Sequence, residues 1–590
     1  MGNFSIFRVN NHLKLLKLNG QAMAKLNDIV QKNLESGQQA LASYKWQEAR
    51  DCFNAATLIE ETAESLEYLG QASWWLNDAA ATFSSREKAY RLYRKIGDNR
   101  SAARVATVLA IDYFTFYGEY AVSNGWSRRA HRLLDKLKPS AEHALIKFYD
   151  GHVALEVHHD PATSFRLGLE MEILARRLNE FDLEMLGIAV QGLALVCKGN
   201  VQEGMQKLDE ATAAAIAGEV IDLDISNTIC CYLICACERV RDYNRAVQWC
   251  FQVKDATGDG KYPMMFSLCP IHYSGVLIWQ GDWNEAEKIL YRATEDLIAT
   301  QHAQASEGIL LRADLCRLKG RTGEAAELIR QAGKKPFRML GANRVLLSQA
   351  ALAYDQNDLE SASMLLERYR GNIKEACKLA LPPALELLCL VQVSLGEYQK
   401  AARTAADLSS IAGMIGTEPL LASASLAEGT VLLARGDYQE AYKKFEVAEE
   451  LFEKNKSPFE TARARCGLSQ SLHLLGQKKS ALAEIHLALE TFEKLEAVTE
   501  KQRANAILKK IRSVPAGLTE EALPEAFTKR ELEILLEIAA GKDNAQISNE
   551  LFISIRTTER HVSNIYGKIG ATGTAARAIA TAFALRHQLL

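Results

Sequence analysis

A repeat of about 40 residues organises most of this chain and constrains its fold more than any other feature. Eight segments carry a small residue, an apolar residue four positions later and another residue of this kind seven positions later. Spacings of four and seven place three side chains on one face of a helix, so each segment predicts a helix that packs closely on a neighbour. The segments are Gly204/Leu208/Ala211, Ala246/Cys250/Val253, Ala286/Leu290/Ala293, Ala325/Ile329/Ala332, Ala362/Leu366/Tyr369, Ala401/Ala405/Leu408, Ala441/Phe445/Ala448 and Ala481/Ile485/Ala488, with a similar Ala49/Phe53/Ala56 near the start.

Glycine often lies five residues before the small residue of a segment. A left-handed residue ends a helix at low cost, so each unit is predicted to be a helix, a short turn and a second helix. One such pair cannot bury its own apolar face, and the pairs should therefore stack into a superhelix. The glycines are Gly199, Gly281, Gly320, Gly396, Gly436 and Gly476.

The phrases from Gly436 to Ala441 and from Gly281 to Ala286 resemble tetratricopeptide repeats. The resemblance extends over about Glu35 to Glu496, although the spacing of about 40 residues exceeds the 34 of that family. It implies an all-α fold with an extended surface that binds a protein, a peptide or a small ligand. Five tryptophans either line that surface or pack between helices: Trp74, Trp75, Trp249, Trp279 and Trp283.

The sequence gives no support for catalysis. Phosphate-loop, GxSxG and HExxH patterns are absent, so we expect no enzyme and no cofactor. The sequence His158-His159-Asp160 before Pro161 predicts a turn rather than a metal site, because further ligands are not evident nearby. The 12 cysteines lack regular spacing, and no apolar run approaches a membrane span. We therefore expect a cytoplasmic protein without a membrane partner.

A change in composition separates the repeats from the C-terminal region. Pro515, Gly517 and Pro524 interrupt the chain after a polar helix that starts near Ala497. The predicted division is a helical segment at 1–34, the repeat solenoid at 35–496, a capping helix and linker at 497–526, and a small four-helix domain at 527–590.

The C-terminal domain is predicted to begin with a capping box formed by Thr528 and Glu531. The apolar face of its first helix should contain Leu532, Leu535, Leu536 and Ala539, and Gly541 should end that helix. Asn544 is predicted to cap a second helix with Ile547 and Leu551.

A third helix should start at Ser554 or Arg556, bury Val562, Ile565 and Ile569, and end at Gly570. A fourth, from about Thr574 to His587, carries Ala578, Ala582 and Leu585.

These segments resemble the LuxR/NarL/FixJ-type helix-turn-helix domain. The resemblance rests on residues 528–531, 540–547, 551–554, 557–566 and 568–570. Gln546, Ser548 and Thr558 depart from the usual family residues in ways that should leave the fold intact. Glu559 replaces a frequent Lys and could change which bases are read.

The resemblance implies binding in the major groove of double-stranded DNA, with the motif at about Asn544 to Ser563. By position, Glu559, Arg560 and Ser563 should face bases, where Arg can pair with guanine and Glu can accept from cytosine. Contacts to phosphate or groove edges are expected from Arg556, Thr557, Asn564 and Lys568. Each of these could instead be a solvated helix residue, and His561 is expected to be a half-buried packing residue.

The charge distribution agrees with local DNA binding, because residues 527–590 carry a small positive excess within a chain of net charge −3. We expect a sequence-specific transcription regulator whose repeat region senses an effector and controls the C-terminal domain. The alternative is a tetratricopeptide-like interaction scaffold with weak DNA binding. The resemblance also implies a homodimer through the last helix, Ala575 to Leu589. The solenoid would either cover the recognition helix or hold two domains apart.

Overall fold

The computed structural model describes residues 26–261, 269–299, 302–334, 338–513, 527–551 and 553–586. Within these ranges every regular element is helical and no strand occurs, which confirms the all-α prediction. No described helix is both long enough and apolar enough to span a bilayer.

Twenty-nine α-helices and two 3₁₀ helices (Glu375–Ala380 and Gly573–Ala575) make up these described ranges. The α-helices are α1 (26–42), α2 (Trp46–Ile59), α3 (Ala63–Trp75), α4 (Ala79–Ile96), α5 (Asn99–Tyr117), α6 (Tyr120–Leu134), α7 (Ala141–Glu156), α8 (Pro161–Leu178), α9 (Phe181–Lys198), α10 (Val201–Ile216), α11 (Leu223–Val240), α12 (Tyr243–Lys261), α13 (Cys269–Gln280), α14 (Trp283–Ala299), α15 (Ala305–Leu318), α16 (Thr322–Ala332), α17 (Arg338–Asp355), α18 (Leu359–Asn372), α19 (Pro382–Ser394), α20 (Tyr398–Ile415), α21 (Glu418–Arg435), α22 (Tyr438–Lys454), α23 (Pro458–Leu474), α24 (Lys478–Lys494), α25 (Val498–Ser513), α26 (Lys529–Ala539), α27 (Asn544–Leu551), α28 (Ile555–Ile569) and α29 (Ala576–Arg586).

The helices up to α25 form a solenoid of stacked antiparallel pairs with tetratricopeptide-like organisation. The predicted segments fall on even-numbered helices, and the small residue that begins each segment is buried. Close packing between neighbouring helices explains why small residues occur at these positions. Phe445 on α22 lies so near Gly467 on α23 that a Cβ atom there would be 2.5 Å from its ring. The glycines that precede the segments have φ between +76° and +95°, which confirms their role as helix ends.

The inner wall of the solenoid encloses a cavity of about 2080 Å³, lined mainly by odd-numbered helices from α3 to α25. Both interpretations of the tryptophans hold, each for different residues. Trp74 and Trp279 line the cavity, whereas the indole of Trp249 donates a hydrogen bond of 2.9 Å to Asp209 on a neighbouring helix.

The last solenoid helix, α25, buries Ala504 and Ile511 in one apolar cluster with Phe492 of α24. The predicted boundary between residues 34 and 35 falls inside α1. The predicted linker, Pro515 to Pro524, lies outside the described residues. Asp160 caps α8, accepting a hydrogen bond of 3.0 Å from the amide of Thr163, so the turn at His158-His159 has a structural role.

The C-terminal helices α26 to α29 have their own apolar core. The predicted capping box at Thr528 and Glu531 is present. The predicted face of α26 was wrong in register, because Leu532, Leu536 and Ala539 are only partly buried while Leu535 is fully buried. The core consists of Ile534, Leu535, Ile538, Ile547, Val562, Ile565, Ala580 and Ala584.

Two predicted helix starts also need correction. Asp543, rather than Asn544, caps α27, because its carboxylate accepts from the amide of Gln546 at 2.8 Å and the Gln546 side chain accepts from the Asp543 amide at 2.9 Å. The fourth helix, α29, begins at Ala576 instead of Thr574, because the 3₁₀ turn Gly573–Ala575 precedes it. The chain beyond Arg586 lies outside the described residues.

Candidate nucleic-acid interface

Helices α27 and α28 form the helix-turn-helix pair, and α28 holds the residues predicted to contact DNA. Ser554 caps α28 by accepting from the amide of Thr557 at 3.0 Å, and Gly570 ends it with φ of +67°. Two departures from the family pattern meet inside this pair. The hydroxyls of Ser548 and Thr558 are 2.9 Å apart and buried, so each satisfies the other.

The seven predicted DNA-contacting residues divide by exposure. Arg556, Glu559 and Ser563 are exposed to solvent. Lys568 pairs with Glu531 of α26 at 2.7 Å, within its own domain. The other three, Thr557, Arg560 and Asn564, lie against the solenoid.

Arg560 is the central contact between α28 and the solenoid. Its guanidinium lies 3.1 Å from the carboxylate of Glu449 on α22 and 3.6 Å from that of Glu484 on α24. Only 8% of its side chain is exposed. Burial acts to raise the pKa of Glu449, but the guanidinium groups of Arg560 and Arg465 outweigh it and hold this pKa below its usual value. Burial raises the pKa of Glu484. We infer that Glu449 is the main anionic partner.

Polar contacts flank this ion pair on both sides. The Thr557 hydroxyl donates to Glu453 at 2.7 Å, and the Asn564 amide donates to the hydroxyl of Tyr442 at 2.9 Å. The recognition helix is thus held along its length by α22.

The first helix of the C-terminal domain also reaches α22. Arg530 of α26 forms an ion pair of 2.6 Å with Glu450. The docking contact therefore involves two helices of the domain.

His561 was predicted to be half-buried, but its side chain is fully buried. Burial lowers the pKa of His561 well below its usual value, and Arg560 acts in the same direction. Its Nδ1 lies 3.4 Å from Glu446, whose pKa burial raises to about 7.

Sequence reasoning missed the residues that receive the recognition helix. They lie on one face of α22, and this acidic face of α22 consists of Tyr442, Glu446, Glu449, Glu450 and Glu453. The sequence does show four glutamates on one helix face without a Lys or Arg between them. Such a face is usually exposed to solvent, and the repeat pattern does not indicate that another domain covers it.

The fold and capping of α26 to α29 define the C-terminal region as a helix-turn-helix domain. Residues 525–580 match the family described as bacterial regulatory proteins, luxR family. The C-terminal domain is therefore a luxR-family domain, and this confirms the predicted resemblance.

Curated relatives match a small share of the chain. The transcriptional regulatory protein LiaR of Bacillus subtilis is 41% identical over 114 residues, which are 19% of this chain and 51% of LiaR. The response regulator protein VraR of Staphylococcus aureus is 41% identical over 68 residues, 12% of this chain and 31% of VraR. The chain thus spans about half the length of LiaR and about a third of VraR.

Solved helical structures align with most of the chain at low similarity. The Cut9 and Hcn1 hetero-tetramer structure aligns with 82% of this chain and 96% of its own, with 13% identity and a TM-score of 0.41. Yeast Tom70 aligns with 83% of this chain and 98% of its own, with 13% identity and a TM-score of 0.31.

Proposed function

We propose that this chain is a transcription regulator whose solenoid holds its luxR-family domain in a state that cannot bind DNA. The observation that carries the proposal is the enclosure of Arg560 between Glu449 and Glu484. The residue placed by family position to read a base is occupied by carboxylates of the solenoid.

Docking and DNA binding compete for the same helix. A recognition helix has to enter a major groove about 12 Å wide, with its first turns against base edges. In this chain the first turns of α28 face α22, through Thr557 and Arg560. The domain must leave the solenoid before α28 can enter the groove.

The carboxylates on the acidic face of α22 are anionic hydrogen-bond acceptors, as DNA phosphates are. Carboxylates at Glu449, Glu450 and Glu453 receive two arginines and a hydroxyl from the domain. Arginine forms strong charge-assisted hydrogen bonds with carboxylate and phosphate alike. Thr557 and Arg560, which are also predicted to contact DNA, cannot serve the docked and the DNA-bound state at once, so the two states are mutually exclusive.

The released domain is proposed to bind as a homodimer through α29. The outer face of this helix exposes Ala578, Ile579, Ala582 and Leu585 to solvent. Spacings of three and four place Ala578, Ala582 and Leu585 on one stripe. An apolar stripe of small residues on an otherwise complete domain suits a helix pair between two copies.

The test is DNA footprinting with full-length protein in which Glu449 and Glu484 are both replaced by Gln. We expect this variant to protect a defined sequence selected from random duplexes, while wild type protects it only at much higher concentration. The matched control is Glu440→Gln, an exposed position on the same helix α22 whose carboxylate pairs with Lys443 in its own turn.

The interaction-scaffold alternative gives a different outcome. If the doubly substituted chain releases the domain yet protects no sequence, the C-terminal domain is accessory and the solenoid carries the function. Hydrogen exchange of the α28 amides reports release without DNA, so these two results can be told apart.

A further inference from the structure

Three side chains in the cavity wall form a chain of contacts apart from the docked domain. The Sγ atom of Cys235 on α11 lies 3.6 Å from Nε2 of His272 on α13. The Nδ1 atom of the same imidazole lies 2.8 Å from a carboxylate oxygen of Glu238, one turn after Cys235 on α11. All three side chains line the cavity of about 2080 Å³. A thiol within reach of an imidazole that a third group orients is the arrangement of an activated cysteine nucleophile.

The charges around His272 favour its protonated form. Burial acts to lower the pKa of His272, but the sulfur of Cys235 and the carboxylate of Glu238 outweigh it and hold this pKa well above its usual value. Burial likewise acts to raise the pKa of Glu238, but the hydrogen bond and the charge of His272 hold it below its usual value. The imidazole is therefore placed to accept the thiol proton at Nε2 while Glu238 accepts a hydrogen bond from Nδ1.

The exposure of Cys235 differs from that of other cysteines on α11. It is partly exposed and faces the cavity, whereas Cys230 and Cys237 are buried. Burial raises the pKa of the Cys230 thiol to about 12 and acts in the same direction on Cys237. Cys231, one turn before Cys235, also lines the cavity, and its thiol donates to the side-chain oxygen of Asn227 at 3.7 Å. Cys231 is therefore an internal reference for the reactivity of Cys235.

A fixed guanidinium lies near the thiol. Arg239, one turn after Cys235, is within electrostatic reach of it. The terminal nitrogens of Arg239 donate to Glu156 at 2.8 Å and to the sulfur of Cys197 at 2.8 Å. These contacts hold a positive charge beside the sulfur, where it stabilises negative charge that develops on a reacting molecule.

Aromatic side chains lie near the same sulfur. Tyr232, one turn before Cys235, is within electrostatic reach of it, and its ring stacks on that of His152 with centroids 6.1 Å apart. Phe148 packs next to both rings. A molecule with an apolar body and a carbonyl oxygen therefore fits this part of the wall, because aromatic rings and a guanidinium both lie close to the sulfur.

The position of Cys235 within α11 favours addition over acyl transfer. Acyl transfer needs free donors for a developing oxyanion, and backbone amides commonly supply them. Cys235 is in the interior of a helix, where each amide bonds to the carbonyl four residues earlier, so its own backbone offers no such donor. Addition to a carbon–carbon double bond conjugated with a carbonyl has no leaving group, and its negative charge moves to the carbonyl oxygen.

We propose that Cys235 is a covalent attachment site for an α,β-unsaturated carbonyl compound, with His272 as the proton acceptor and Glu238 as a positioning residue. His272 takes the thiol proton at Nε2, and the sulfur forms a bond to the β-carbon. The electron pair of the carbon–carbon double bond moves toward the carbonyl oxygen, and the imidazolium then returns its proton to the α-carbon. The product is a saturated thioether, formed without an oxidant. This site does not depend on the regulator function proposed above.

The experiment measures adduct formation on the full-length protein, without DNA. The probe is benzylideneacetone, an aromatic enone, and iodoacetamide is the second probe because it reports thiol reactivity without an enone. Tandem mass spectrometry of the digested protein quantifies each adduct on Cys235 and on Cys231 against time. A free cysteine is only a few per cent thiolate at neutral pH, so we expect Cys235 to react with both probes at least about tenfold faster than Cys231.

Substitutions assign the roles of the neighbours. His272→Gln should lower the rate at Cys235 at least about tenfold, and Glu238→Gln should lower it by a smaller factor. Neither should change the rate at Cys231, whereas a loosened cavity wall would raise both rates. The matched control His131→Gln removes an exposed imidazole that pairs with Asp150 at 2.9 Å outside the cavity, and it should react like wild type.

Three results would overturn the proposal. They are equal rates at Cys235 and Cys231 in wild type, labelling of Cys235 by iodoacetamide but not by benzylideneacetone, and a wild-type rate at Cys235 in folded His272→Gln. Each of these results leaves the masking of α28 untouched. Conversely, failure of the footprinting test would leave the adduct rates unaffected, so the two proposals fail independently.

Discussion

Replacement of Glu449 by Gln should release the DNA-binding domain while leaving the chain folded. Glu449 is the nearer of the two carboxylates around Arg560, at 3.1 Å. Its other oxygen accepts from Arg465 at 2.9 Å and 3.1 Å, and the Gln side chain keeps an oxygen for that contact. The substitution removes a charge from a buried ion pair without removing volume.

The magnitude follows from the geometry of this ion pair. Removing one partner of a buried pair costs about 3–5 kcal/mol when the other charge is left alone. Glu484 remains at 3.6 Å from Arg560, so we expect a smaller loss. A loss of about 2–3 kcal/mol, within the range for hydrogen bonds to charged groups, corresponds to about 30- to 150-fold in the docking equilibrium.

Two assays on full-length protein measure this shift. Hydrogen exchange of the amides of α28 should accelerate, because release exposes this helix to solvent. The apparent affinity for a duplex selected by the doubly substituted variant should rise by the same factor, as long as the released state remains a minority in wild type. Glu440→Gln on the same helix should change neither quantity.

The reasoning is refuted if Glu449→Gln, shown to be folded, has the exchange rates and DNA affinity of Glu440→Gln. A rise in DNA affinity without faster exchange in α28 would also contradict it, because the gain would then have a source other than release.

Three further predictions address the same surfaces. Burial raises the pKa of Glu446 to about 7 in the docked state. Release should relieve that burial, so this group favours the docked state at low pH and loses that effect as pH rises to 7. The lowered pKa of buried His561 acts in the opposite direction. In Glu446→Gln, DNA binding should therefore increase more steeply than in wild type as pH falls from 7 to 5, measured by fluorescence anisotropy; an unchanged slope would contradict the assignment. Arg560→Ala in the Glu449→Gln background should weaken binding to the selected duplex by about 1–3 kcal/mol and leave binding to a scrambled duplex nearly unchanged, as expected for a base contact. Leu585→Asp in the same background should give a monomer by analytical ultracentrifugation at concentrations where the parent is a dimer, because it places a charge on the exposed apolar stripe of α29; a persistent dimer would place the interface elsewhere.

The repeat architecture could be predicted from the sequence because its determinants are local. Small residues such as Ala441 and Ala481 recur at fixed spacing, and Gly436 and Gly476 mark the helix ends. Each unit contacts mainly its neighbours, so a pattern within about 40 residues specifies most of the packing. The same locality explains the capping box at Thr528, which involves only four consecutive residues.

The docking surface could not be predicted in the same way, since it joins residues about a hundred positions apart. Thr557 meets Glu453 and Asn564 meets Tyr442, and no repeat spacing relates the two members of either pair. The sequence suggested that the solenoid covers the recognition helix or holds two domains apart, and the contacts of Thr557, Arg560 and Asn564 with the solenoid favour covering. The errors at Asn544 and Leu532 are smaller. The predicted helix cap and the predicted apolar face were each displaced by one residue along the chain.

Helix α23 provides a physical route between the cavity and the docked domain. Arg463 lines the cavity and pairs with Glu460 at 2.8 Å, whereas Arg465, two residues later, faces outward and bonds to Glu449 at 2.9 Å. Two residues turn a helix by about 200°, so one helix presents these arginines to opposite sides. A ligand in the cavity can shift the docking equilibrium only by the difference in its affinity for the two states. If a ligand in the cavity favours release through α23, linkage requires that DNA increase the affinity for that ligand by the same factor. Arg465 is the side chain through which a displacement of α23 would reach the ion pair that holds Arg560.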